Sequence, residues 1–126
     1  MTDGDGNIQY FDWVEYPHAR VRVELETERG VPIRFVIQLE RRVGGEWRQV
    51  VRFDHDGGAD GGHDITEEGL HMDVYRNGEK IRVKDDFPPV HLTHAPRYCT
   101  LYSEQYAEQL LRRFDQWHDL NHPTTN

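Results

Sequence analysis

Residues 33–56 read IRFVIQLERRVGGEWRQVVRFDHD, and the fold turns on how this stretch divides. Ile33, Phe35, Ile37 and Leu39 alternate with Arg34, Val36, Gln38 and Glu40, the period of two that sends successive side chains to opposite faces of a strand. The VGGE tetrapeptide supplies turn residues. The chain then returns with Trp47, Val51 and Phe53 against Arg48, Val50, Arg52 and Asp54. The stretch reads as a β-hairpin with one apolar face.

The same signature recurs on both sides. Upstream, ARVRVELE from Ala19 sets Val21, Val23 and Leu25 against Arg20, Arg22, Glu24 and Glu26. Downstream, GLHMDVY sets Leu70, Met72 and Val74 against His71, Asp73 and Tyr75, and the Asn-Gly turn in RNGEK leads into IRVK. DDFPPVHLTHAPRY holds three prolines and reads as a loop. Beyond it, with Ser103 as cap, Tyr106, Leu110, Leu111, Phe114 and Trp117 recur at the spacing of an amphipathic helix. The expectation is an α+β domain spanning residues 1–126: an antiparallel sheet of about five strands, with one long C-terminal helix packed on its apolar face. Residues 1–10 and 121–126 are small and polar and read as frayed ends, while Trp13 and Trp117 are expected in the core.

Composition narrows the function classes. A chain of 126 residues suits one domain, and three Trp, six Tyr and five Phe argue against general disorder. The net charge of -8 repels a phosphate backbone or an anionic membrane, so an RNA partner requires a local basic patch. Lys80 and Lys84 are the only lysines, a skew that fits a GC-rich genome or a salt-rich cytoplasm. Cys99 stands alone, which rules out an intrachain disulfide and suits a reducing compartment. No apolar run approaches the roughly 20 residues that span a bilayer, so a cytoplasmic location without membrane contact is expected.

If the helix covers the apolar face, Arg52 and Asp54 share the open face with His71, Asp73 and Tyr75, beside Arg20, Arg22, Arg34 and Arg48. The plain reading is a solvated surface laced with ion pairs, each worth about 0 to 1 kcal/mol. The sharper one is a polar cleft with an arginine floor. Chemistry would then centre on RFDHDGGADGGHDITEEGLHMDVYR, residues 52–76, which carries acids and histidines but no Lys or Arg between its terminal arginines.

Three proposals compete there. His63, Asp64, His71 and Asp73, with Asp54 near, suit a divalent metal, although no HExxH or CxxC spacing is present. Asp56, Asp60, Asp64 and Glu67 approach the spacing of a calcium loop, but Gly58 occupies a ligand position and both flanks read as strands. Without any cofactor, His71 and His63 could act as acid and base oriented by Asp54 or Asp73, while Arg52, Arg34 and Tyr75 hold a substrate phosphate. Cys99 between Tyr98 and Thr100 reads as a small buried hydrophobe, and His91 and His94 as loop residues.

The order GGEWRQVVRFD, a histidine-bearing loop, GLHMDVYRNGEK and a terminal helix resembles the small toxin-antitoxin proteins called TumE, and related small proteins of haloarchaea and actinobacteria. The shared features are the triplet Arg52, Phe53, Asp54 and the histidines His63 and His71, within a layout covering residues 31–118. The resemblance implies an α+β toxin acting on RNA, with a cognate antitoxin as partner. The glycine- and aspartate-rich insert, together with Asp64 and Asp73, departs from that pattern. The competing class is a non-enzymatic interaction domain that uses its acidic loop, and self-association stays open.

Overall fold

The computed structural model describes residues 5–58 and 61–120. Six strands form one antiparallel sheet in chain order: β1 (Gly6–Glu15), β2 (Ala19–Glu28), β3 (Val31–Val43), β4 (Glu46–Asp56), β5 (Met72–Arg76) and β6 (Glu79–Lys84). A short helix α1 (Ile65–Glu68) joins β4 to β5, and a 3-10 turn (Leu92–His94) leads into α2 (Ala95–Gln105) and α3 (Ala107–Trp117). The α+β class and the antiparallel meander match the sequence reading, but the sheet has six strands rather than five.

The sixth strand is β1, and its first half lies in the segment read as frayed. Tyr10 pairs with Val23 and Phe11 with Arg22, so Gly6–Tyr10 belong to the sheet. Period-two analysis misses this strand because Ile8 and Tyr10 lie on one face while Phe11 and Trp13 lie on the other, which erases the alternation. Edge position explains their exposure: Trp13, expected in the core, is 48% exposed. Residues 121–126 lie outside the described region.

One bulge corrects the reading of the opening hairpin. Leu39 pairs with Val51 but Glu40 pairs with Gln49, so Val50 is an extra residue in β4. Every side chain before it changes face. Trp47 therefore stands on the open face with Arg20, whose guanidinium lies 3.9 Å from the rings of both Phe11 and Trp47. Val51 and Phe53 keep their expected place in the core.

The apolar face of β2 to β5 packs under the helices, with Phe35, Phe53, Leu111 and Phe114 among its largest buried side chains. Covering these apolar faces is the main drive to fold, at about 25 cal/mol per Å² removed from water. The helical layer starts earlier than Ser103. Pro96 sits in the first turn of α2, where its missing N–H costs nothing. Ser103 lies inside α2, fully buried, and its hydroxyl donates to the Cys99 carbonyl at 2.8 Å instead of capping. The helix breaks at Tyr106, so two helices replace the single long one expected. Trp117 is partly buried against the core. At the far end, His118 Nε2 accepts the Asn77 N–H at 3.0 Å while Nδ1 meets the Phe114 carbonyl at 2.7 Å. That arrangement places the ring proton on Nδ1 and ties α3 to the β5–β6 turn.

Candidate functional site

The open face is ordered by charge. Glu40 is buried at its centre and accepts from Arg20 Nε at 2.8 Å and Gln38 Nε2 at 2.6 Å, while Gln49 donates to Gln38 at 2.9 Å. Toward β1 this network ends in the stacked Phe11, Arg20 and Trp47 side chains. Toward β5 it opens into a cleft of about 440 Å³.

Alternation along β4 and β5 builds the cleft wall. Arg52 lies opposite Asp73 in the strand register, and Arg52 Nε donates to Asp54 Oδ2 at 2.9 Å on its own strand. The β5–β6 hairpin brings Lys80 to 3.8 Å from Asp73, and Arg34 on β3 approaches Asp56 at 4.0 Å. The cations Arg34, Arg52 and Lys80 thus face the carboxylates Asp54, Asp56 and Asp73 in balanced number. Burial pushes the Asp73 carboxyl above the usual carboxylate range, with Lys80 opposing the shift and Asp54 adding to it.

The roof comes from the segment after β4. The Asp56 N–H donates to the His63 carbonyl at 2.7 Å, which closes the glycine-rich loop on itself. Asp64 then caps α1 by accepting from the Thr66 hydroxyl and from the Thr66 N–H, the latter at 2.9 Å, and these bonds hold its carboxyl below its ordinary value. His63 is held by Glu68, with Nδ1 to Oε2 at 2.6 Å, and by the Gly69 carbonyl at 3.2 Å from Nε2. Its ring packs on His71 with centroids 4.4 Å apart. Among the described residues His71 has no hydrogen bond or ion pair, so its imidazole nitrogens are available to a ligand.

Of the residues singled out from sequence, Arg34, Arg52, Asp54, His63, His71 and Asp73 line this one cleft. Tyr75 lies along β5 in register with Lys80 but outside the lining, and Asp64 serves the helix cap. Asp60 of the calcium pattern lies outside the described residues. Among the described residues no three His, Cys, Asp or Glu side chains gather as a metal-holding group. Cys99 is fully buried, and burial raises its thiol above its ordinary value, in keeping with a small hydrophobe.

Alternation from Val51 and Phe53 assigns His55 to the core face, yet it also reaches the cleft. It is 3% exposed, stacks on Phe35 with centroids 5.6 Å apart, and accepts the Ile65 N–H through Nδ1 at 3.1 Å. Burial lowers its pKa, against the pull of Asp64. His55 thereby fixes the start of α1 and the roof above it. The signal for it in the sequence was a histidine in an apolar register. Lys80 was marked only by the Asn-Gly turn that folds β6 back.

A single antiparallel meander, helices on one face and a polar His/Asp/Arg cleft on the other define the class: an α+β domain with an open-face site. The chain belongs to the family described as Domain of unknown function (DUF7718), which matches residues 1–120. Comparison with curated proteins gave no match. Comparison with solved structures gave none either. Among the described residues, no helix is long and apolar enough to cross a membrane.

Proposed function

We propose that the open-face cleft is an acid–base site that works without a resident metal, in which His71 exchanges a proton with a ligand anchored by Arg52 and Lys80. The observation that carries this reading is the convergence of an unpartnered imidazole, a half-buried carboxyl and two cations on one cleft. His71 would act as the base, and Asp73, whose carboxyl burial raises above its ordinary value, as the complementary acid. His63 becomes a positioning residue, because both its nitrogens are occupied and its ring sets the plane of His71.

The substrate implied by the TumE-like resemblance is the phosphodiester of RNA, with the protein as a cytoplasmic toxin restrained by an antitoxin. Arg52 and Lys80 suit one phosphate, and Arg34 a second. The charge balance of the cleft favours a short strand over a long duplex. Labelled single-stranded RNA incubated with the protein in excess EDTA tests the reading. Cleavage should persist in chelator, fall by roughly 100-fold or more in His71→Ala, and weaken mainly through KM in Arg52→Gln. If the wild type leaves RNA intact while uridine 3′-monophosphate perturbs the His71 NMR signals, the cleft binds without cutting RNA. If neither occurs, the acid–base assignment fails.

A second reading is favoured by the completed ion pairs of the face, where Arg20, Arg34, Arg52 and Lys80 each already approach a carboxylate. In that reading the domain is a non-enzymatic interaction module. Growth arrest on expression, relieved by a co-expressed neighbouring gene product, would separate a toxin from such a module.

A further inference from the structure

A second cleft, of about 430 Å³, lies on the opposite side of the sheet, where β5 and β6 meet α2 and α3. Its walls bring together Arg82 from β6 and Arg113 from α3, with Tyr102, Tyr106 and Gln109 around them. Lys84 also lines it, but its ammonium is already engaged by Asp86. Asp85 lines it too, and among the described residues it forms no ion pair with either arginine.

The electrostatics are unusual for a structural surface. Arg113 is half-buried, its guanidinium lies 4.9 Å from the Trp117 ring, and its buried Nε has no hydrogen-bond partner among the described residues. Arg82 has no carboxylate partner among them either. Burial and then the nearby Arg82 lower the Arg113 pKa, as two like charges brought close should. A native structure rarely leaves a buried donor unpaired, and such a group calls for a bound ion or water. Two guanidinium groups beside phenol hydroxyls and a side-chain amide match the oxygens of a small anion.

We propose that Arg82 and Arg113, with Tyr102, Tyr106 and Gln109, form a binding site for a small oxyanion, a phosphate monoester or a carboxylate. The site is independent of His71 and stands whether or not the open-face cleft is catalytic. The full chain is titrated with sodium phosphate, with sodium acetate and with sodium chloride at matched ionic strength. Binding is read from the Arg113 Nε–H NMR signal and from thermal unfolding.

Phosphate or acetate should shift the signal saturably and raise the melting temperature where chloride does not, and the stronger of the two identifies the ligand class. Arg82→Gln should weaken binding by roughly tenfold or more, the loss expected for a charged hydrogen-bond partner. Arg82 is exposed, so this variant folds, and relief of repulsion leaves its ligand-free stability equal or higher. His71→Ala should bind as the wild type does. Equal responses to all three salts, wild-type binding by Arg82→Gln, or a lower ligand-free stability of that variant would each overturn the assignment.

Discussion

Arg41 Nε donates to Asp115 Oδ1 at 3.0 Å, with side chains only 8% and 1% exposed, across a separation of 74 residues. This buried charged contact ties β3 to α3 and so sets the helical layer on the sheet. Neither residue stands out in sequence, because an arginine on a strand and an aspartate on a helix usually face water.

Removing one partner leaves a charge in the core. Asp115→Ala should therefore lose about 3 to 5 kcal/mol of stability, measured as a shift in the urea midpoint. Arg41→Met combined with Asp115→Leu should recover most of that loss. A double variant as unstable as the single one would mean that the contact positions α3 beyond its electrostatics.

His55 makes stability depend on pH in a defined direction. Its folded pKa lies below the ordinary value of 6.5, so the unfolded chain binds more protons as the pH falls through that value. Stability should be full above about pH 6.5 and decline below it, until the folded group also titrates. Urea unfolding at a series of pH values checks this. His55→Leu should flatten the slope in that window while losing the bond to the Ile65 N–H.

Asp73 carries the opposite sign. Its folded pKa is raised by burial, so the ionised carboxylate weakens the fold as the pH rises above the ordinary value of 3.8. Asp73→Asn should keep or increase stability at pH 7 while reducing whatever activity the cleft has. A stabilised but inactive variant would mark Asp73 as retained for function. A clear loss of stability would instead assign it to holding Lys80 and the hairpin.

Arg20 joins two aromatic rings to buried Glu40. Arg20→Met removes a charge-assisted bond and both stacking contacts, and should cost about 2 to 4 kcal/mol. Trp47 fluorescence reports it directly, because the indole loses its cationic neighbour. Unchanged emission would show that Trp47 does not hold this position in solution.

Much of the site was legible because strand alternation is a local rule. Arg52 and Asp54 share a face two residues apart, as do His71 and Asp73, and the structure brings all four to one cleft. Trp47 escaped the same rule because a single bulge residue, Val50, reverses the phase. The beginning of the helical layer at Ala95 escaped because three prolines suggested a loop, although Pro96 opens α2.

The amino-acid order alone thus determines the antiparallel meander from β2 to β6 and, outside the stretch before Val50 that the bulge reverses, the polar and apolar faces of its central strands. These follow from backbone stereochemistry within a few residues. Only tertiary structure decides that β1 completes the edge, that His63 is held by Glu68 and packed on His71, that His55 is buried beneath the roof, and that Arg82 and Arg113 share one cleft. Each of these depends on the relative placement of segments joined by turns or long connections. Such placement comes from burying the shared core, which no local spacing encodes.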